Sequence, residues 1–397
     1  MRIGILTYHR SLNYGAVMQA AALSEQLKKR FPEAEVEIID YSSKKMDRYY
    51  KMITVYRGKE SAPHILKRIA MYRAFQKGLR QLPLSQKRLS TDSCETFDRW
   101  LEDYDILITG SDAVWNYKKR GIPNPYFLSA DTGAVRFSYA ASCNGLGIGS
   151  YGDISQQESA YLKKSFSGFR YIGVRDEQTE RLVKTVLPSA EVHHNCDPSI
   201  LLGDLSGADR TALIEKLRKK YGFDPKKPTI AFMMSNLNGA FRRDLALKIK
   251  EKYGSKYQSV SLYSYNKYAD IPYLCDLTPQ EWSIVFGLFD LTISKYFHGT
   301  MFSLLNHTPV IAVSAESTIE NLPDKVSDAL GRMDLSDLYF EAGADKPLDW
   351  DKLMQKIDEC LSVPMTERIA SGLEKERVTG ETFFDEIKAV IDAGRQS

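Results

Sequence analysis

Short apolar runs alternate with amphipathic stretches twice along this chain, and that alternation restricts the fold more than any other feature. Within the first 41 residues "RIGILTY", "AVMQAAALSEQLKKRF" and "VEIIDY" read as strand, helix and strand. Runs that are apolar on both faces belong to parallel strands covered by helices, and basic residues closing the helix suit its negative end. The pattern continues through "CETFDRWLEDY", "DILITG", "VRFSYAAS", "QQESAYLKKSF" and "YIGVRD". A charged, glycine-containing junction around residues 203–227 comes next. A second series then runs through "PTIAFMM", "AFRRDLALKIKEKY", "YQSVSLYSY", "PQEWSIVFGLF", "DLTISK", "GTMFSLLNH" and "PVIAVS" to a helix near "DKVSDALGRM". The expectation is an α/β protein with two Rossmann-like domains facing a cleft, over residues 1–205 and 206–345. Helices in 346–397 would close it. Residues 42–90, basic and aromatic with weak periodicity, form an excursion or lid from the first domain, with one helix over "APHILKRIAMYRAFQKGLRQ".

Composition narrows the function classes. The chain has 397 residues, 43% hydrophobic and 26% charged, with a net charge of +3. That balance is ordinary for a globular protein and lacks the strong positive field of a nucleic-acid binder. The five cysteines are odd in number, widely spaced and without a CxxC pair, which argues against a disulfide framework or a structural zinc site and fits a reducing compartment. No apolar run approaches the roughly 18 residues of a membrane span, and "MRIGILTYH" is short for a signal peptide. A cytoplasmic protein is expected, with no transmembrane segment and with peripheral membrane contact allowed.

Four loops that come after expected strands concentrate small, polar or basic residues. In "HRSLNYGAVMQ", Asn13, Tyr14 and Gly15 either make a plain strand-to-helix turn capped by Asn13 or present helix amides to an anion or a sugar hydroxyl. In "ITGSDAVWN", Gly110 permits a sharp turn, and Ser111 and Asp112 can cap the next segment. Trp115 beside Asn116 resembles a platform for a sugar ring. In "IGVRDEQTERLV", Arg175 either clamps a carboxylate or phosphate or pairs with Asp176 or Glu177 at the helix start. In "DLTISKYFHGTMFSLL", His298, Gly299 and Thr300 open a helix whose amides and dipole favour an anion. His298 is placed to bind it or move a proton, Gly299 would allow close approach, and Lys295 could reach the same cleft.

Other chemistries lack their patterns. There is no GxxxxGK[ST] phosphate loop, no HExxH zinc helix and no GxSxG elbow, and "NGLGIGSYG" does not have the dinucleotide-binding order. His193 and His194 are adjacent and would face opposite sides of a strand, a poor metal pair. His9 stands after the first strand and could touch the cleft, whereas His64 and His307 read as structural. No metal site is expected.

Taken in order, "NYGA" with Gln19, "ITGSDAVWN", "SYAAS" at 138–142, "GVRDEQT", "CDPSILL" at 196–202 and "SKYFHGTMFSLLNHTPVIAV" resemble the polysaccharide pyruvyl transferase family over residues 3 to about 335. The resemblance implies a glycosyltransferase-B-like pair of domains. It implies transfer of the enolpyruvyl group of phosphoenolpyruvate, as co-substrate and without a cofactor, onto two hydroxyls of a sugar in a cell-surface polysaccharide precursor, giving a pyruvate ketal. It further implies that Arg175 and His298 bind the donor and carry the catalysis, with Gly299, Thr300, Lys295 and Lys325 on the donor side. Asn13, Tyr14, Gly15, Ser111, Asp112, Trp115 and Asn116 would lie on the acceptor side, the acceptor being lipid- or nucleotide-linked. Asp112 or Asp197 could take up a hydroxyl proton, and a cationic His298 could deliver one. Three departures stand out: Tyr296 where relatives commonly carry arginine, Ala113 in place of glutamine, and Lys325 as the nearest basic residue after the next strand. The alternatives are a nucleotide-sugar glycosyltransferase of the same architecture and a glycan-binding homologue without donor chemistry.

Overall fold

The computed structural model describes residues 1–55, 62–144, 153–234, 239–314, 323–342 and 348–394. The strands of the first unit are β1 (Arg2–Leu6), β2 (Glu35–Ile38), the short β3 (Tyr41–Ser42) and β4 (Leu89–Ser90), then β5 (Ile106–Thr109), β6 (Val135–Ala141), β7 (Phe169–Val174) and β8 (Val192–His194). Those of the second are β9 (Thr229–Met233), β10 (Gln258–Leu262), β11 (Ile271–Leu274), β12 (Leu291–Ser294), β13 (Val310–Ser314) and β14 (Tyr339–Glu341). Each unit has a six-stranded sheet, ordered β2-β1-β5-β6-β7-β8 and β11-β10-β9-β12-β13-β14, while β3 and β4 pair separately. Every pairing in both large sheets is parallel. Strands buried on both faces explain the unbroken apolar runs: Ile3, Ile5, Ile106, Ile108 and Phe137 in one sheet and Ile230, Ile293 and Ile311 in the other are fully buried.

Strand order reverses between β1 and β5 in the first sheet and between β9 and β12 in the second. Such switch points leave a crevice beyond the strands' carboxyl ends, where α/β proteins bind ligands. The four expected loops come directly after β1, β5, β7 and β12. Two helices occupy the excursion, Lys44–Val55 and Ala62–Leu79. The second docks on the helix Pro279–Val285 of the other unit: Gln280 Nε2 donates to the Gly78 carbonyl at 3.3 Å, and a Cβ at Gly78 would stand 2.2 Å from Pro279 Cδ. It is a wall of the cleft rather than a loose lid.

The tail does more than cover the second unit. The helix Trp350–Ser362 packs there, with Tyr253 Oη donating to Asp358 at 2.7 Å and Phe241 stacked on Trp350. After the helix Thr366–Arg377 the chain returns, and Glu381–Gly394 lies on the first sheet. There Phe383 meets Phe137, Tyr139 and Tyr171 edge-on, and Arg30 holds Glu381 through two hydrogen bonds. Burying one such phenyl ring stabilises the fold by about 1.5–3 kcal/mol. All five cysteines are free, four of them buried.

Candidate active site

The first unit brings three loops to the crevice. After β1, Asn13 caps the helix Tyr14–Arg30, its Oδ1 accepting from the Ala16 amide at 3.3 Å, while its Nδ2 faces Asp112 Oδ2 at 3.4 Å. Gly15 is not there for a tight turn. A Cβ at that position would stand 2.0 Å from Cγ of His298, so glycine lets an imidazole from the other unit pack directly against this helix. After β5, Gly110 adopts φ +122°, and Asp112 at φ 71° folds its Oδ1 back to accept from the Ala113 amide at 2.8 Å.

Arg175, at the end of β7, is only 2% exposed. A charge so deeply placed needs a partner. Sequence reasoning offered Asp176 or Glu177, but Asp176 is occupied in capping the helix Glu177–Val186. The partner is Asp197, whose Oδ2 accepts from Arg175 Nη1 at 3.0 Å, with Asp112 Oδ1 4.0 Å from Nη2. Phe297 of the second unit lies against the guanidinium, 4.6 Å from ring centre to Cζ. The two units therefore exchange side chains: Arg175 stacks on Phe297, and His298 packs on Gly15.

In the second unit the helix Phe297–Leu305 begins one residue after its N-cap, Tyr296, which makes no side-chain cap bond. His298 is thus a first-turn residue and not the cap. It is 9% exposed, and its Nε2 has no hydrogen-bond partner among the described residues. Lys325 opens the helix Lys325–Arg332 and donates to Asn144 Oδ1 of the first unit at 2.7 Å.

These groups share one cavity of about 400 Å³, inside the range of small-molecule sites. Asn13, Asp112, Arg175, His298 and Lys325 make its polar wall, and Tyr14, Met71, Tyr263, Trp282 and Phe297 its apolar wall. Burial drives the His298 pKa below the usual 6.5, and Arg175 and Lys325 reinforce it against the pull of Asp197 and Asp112. Without a bound anion the surroundings therefore favour the neutral imidazole. Burial alone would raise Asp112, but Arg175, His298, Lys325 and the Ala113 amide together hold it below the carboxylate range. Burial also pushes the Tyr296 phenol up to about 12, against the influence of Arg242, so this cavity residue is a neutral hydroxyl where arginine was looked for.

Several candidates do not reach the cavity. Trp115 is fully buried, near-parallel to Phe127 at 6.2 Å and packed on Phe166 and Phe169, so it is a core residue and not a sugar platform. Asn116 spends its Oδ1 capping the helix Tyr117–Arg120, and Ser111 is 1% exposed behind the loop. Gly299 is required by packing, not by a ligand: its Cβ would stand 2.5 Å from Ser294 Oγ and 2.7 Å from Met233 Sδ. Thr300 is buried and donates to the Tyr296 carbonyl, and Lys295 does not line the cavity. Asp197 cannot receive a substrate proton: it is buried and already accepts from Arg175, Gln19 and Ser199.

Of the remaining histidines, His9 is fully buried against Asp40 and the Thr7 carbonyl. His193 stacks on Tyr171, His194 meets Glu180, and among the described residues no cluster could hold a metal. The glycine-rich stretch after Asn144, the segment 315–322 before Lys325 and the His64 side chain lie outside the described residues. Sequence reasoning missed Met71, Tyr263, Trp282 and Phe297. Only Phe297 carried a signal, as the neighbour of His298 at a helix start.

Comparison with known proteins agrees with this architecture. The structure resembles a UDP-GlcNAc 2-epimerase from Neisseria meningitidis solved with UDP-GlcNAc (TM-score 0.54, 10% identity, 98% of this chain and 100% of that one). It also resembles the UDP-N-acetylglucosamine 2-epimerase of Rickettsia bellii (0.53, 10%, 99% and 97%) and a glycosyltransferase from Rickettsia africae (0.50, 13%, 100% and 99%). At these identities the likeness establishes the glycosyltransferase-B fold alone. No curated protein matches the sequence significantly. No helix among the described residues is long and apolar enough to cross a membrane. The sequence pattern of polysaccharide pyruvyl transferases matches residues 13–317, a span that contains Asn13, Asp112, Arg175 and His298, and the chain belongs to that family of transferases.

Proposed function

We propose that the cavity binds phosphoenolpyruvate and a saccharide, and that the enzyme forms a pyruvate ketal on two sugar hydroxyls of a polysaccharide precursor in the cytoplasm. The observation that carries this reading is the pair Arg175 and His298. They come from different units and share one cavity with Lys325, and Arg175 Nε and His298 Nε2 are buried without partners among the described residues. A donor with a carboxylate and a phosphate, roughly three negative charges, would supply acceptors for both.

The reaction balances without redox chemistry and asks for no cofactor. One hydroxyl oxygen bonds to C2 of the donor while C3 takes a proton and becomes a methyl group. The C2–O bond to phosphate then breaks, and the second hydroxyl closes the ketal, giving up its proton. Arg175 and Lys325 would hold the anionic ends, and the bound charge would raise the His298 pKa, drawing a proton onto the imidazole for C3 or for the departing phosphate. Asp112, which lines the same cavity and is held ionised, would receive a hydroxyl proton.

Thermal shift with phosphoenolpyruvate and with UDP- and GDP-sugars tests the donor. At a hundred times its Kd a ligand stabilises by about 2.7 kcal/mol. Phosphoenolpyruvate should raise the melting temperature and the nucleotide sugars should not. The reverse result would assign a glycosyltransferase instead. His298→Ala and Arg175→Ala should each abolish phosphate release, and near-normal turnover in either would sink the assignment.

A further inference from the structure

Beyond residue 317, where the family pattern ends, one half-buried cation, its two carboxylate partners buried, joins three elements of the fold. Arg332, at the end of the helix Lys325–Arg332, pairs with Asp328 of its own helix at 2.6 Å. Its Nε and Nη2 donate to Glu376 of the helix Thr366–Arg377, at 3.0–3.1 Å and 2.8 Å. The same Nη2 donates to the backbone carbonyl of Arg175, in the other unit, at 3.2 Å. Glu376 is 2% exposed and Asp328 7%.

We propose that Arg332 is a positioning residue for the donor site, fixing the separation across the cleft of the two cations that hold the donor, Arg175 and Lys325. The role rests on the donor reading given above. Arg175 leaves β7 with its amide hydrogen-bonded to the Ala141 carbonyl at 3.1 Å, so the first unit holds its nitrogen side and Arg332 holds its carbonyl side. Lys325 stands at the other end of the helix that carries Arg332, a rigid rod of about 12 Å. A shift at the Arg332 end is therefore delivered to Lys325 and to Arg175 together. Charge makes the joint dependent on this residue: Asp328 senses Asp176 and Glu177 of the first unit, and Glu376 adds a further carboxylate. With Arg332 gone, these acids would repel one another across the seam between the units.

Calorimetric titration of the full-length protein with phosphoenolpyruvate tests the role, comparing wild type with Arg332→Gln, Arg332→Lys and Asp328→Asn. Arg332→Gln should raise Kd by ~10- to 100-fold, the loss expected when charge-assisted hydrogen bonds stop holding a binding group in place. Arg332→Lys should recover part of that loss, because an ammonium keeps the charge but cannot span Glu376 and the Arg175 carbonyl with one planar fork. Asp328→Asn should bind within about twofold of wild type, since the bridge from Glu376 to Arg175 is untouched. A folded Arg332→Gln protein with wild-type Kd would overturn the proposal, as would an Asp328→Asn loss equal to that of Arg332→Gln. If Arg332→Gln does not fold, Arg332→Lys decides, and an unchanged Kd there refutes the role. Wild-type protein with no affinity for phosphoenolpyruvate would refute the donor reading and, with it, the role of Arg332.

Discussion

Replacing Gly15 by alanine adds one methyl group and should disable the site. The new Cβ would stand 2.0 Å from Cγ, 2.2 Å from Nδ1 and 2.5 Å from Cβ of His298. Even the tightest tolerated contact is 3.0 Å, so the ring and the helix must separate by at least about 1 Å. Neither yields easily, because His298 is buried in a helical first turn and Gly15 lies in the first turn of a 17-residue helix. Overpacking of this kind costs about 1–3 kcal/mol of stability. A 1 Å displacement of a catalytic group costs on the order of 100-fold in rate. The assay is phosphate release from phosphoenolpyruvate in the presence of the saccharide acceptor, with chemical denaturation alongside. The expected outcome is a ~100-fold loss of kcat with the protein still folded at 25 °C, since stability margins of about 5–15 kcal/mol absorb the packing cost. A Gly15→Ala protein with kcat within threefold of wild type would show that the imidazole need not sit against this helix, and the argument for His298 would fail with it.

Two further outcomes rest on burial. Trp115→Ala should cost about 3–5 kcal/mol in urea unfolding because the indole is a core side chain. A cost below 1 kcal/mol with a selective loss of acceptor affinity would restore the platform role. Because the folded-state pKa of His298 is depressed below its unfolded value of 6.5, its contribution to stability is fully present above that pH and is lost as pH falls through the folded value. The melting temperature should therefore decline from pH 7 toward pH 5, and His298→Asn should flatten the decline. Asp40, held at about 2 in the native state, acts only below its ordinary 3.8 and does not confuse that window. An equally steep decline in His298→Asn would refute the assignment of that proton.

The fold was legible because central strands of parallel sheets are apolar on both faces and announce themselves as unbroken runs. The large-sheet strands left out of the alternation, β8, β11 and β14, are all edges of their sheets, and "VHH" and "YFE" are short and only partly buried. The helix Lys44–Val55 was missed as well, although its apolar residues recur at helical spacing. At the site, Arg175 and His298 were readable because each stands after a strand and opens a helix. Which neighbour pairs with Arg175 was not readable, since Asp197 lies 22 residues away and only the β7–β8 pairing brings it close. Trp115 misled for a related reason. A tryptophan beside polar residues reads as a ring platform until Phe127, Phe166 and Phe169 are seen to enclose it. The apolar wall was invisible because Met71, Tyr263 and Trp282 converge from separate elements.

The return of the tail to the first sheet has a mechanical consequence. Covalent chain passes between the units twice, once through residues 203–210 and once through 378–380. With two pivots instead of one, any opening of the cleft must bend the chain at both at once. Glu376 stands two residues before the second pivot. An excised first unit would be left with Phe137, Tyr139 and Tyr171 bare where Phe383 now sits, so the pivots cannot be cut without spoiling the halves they join.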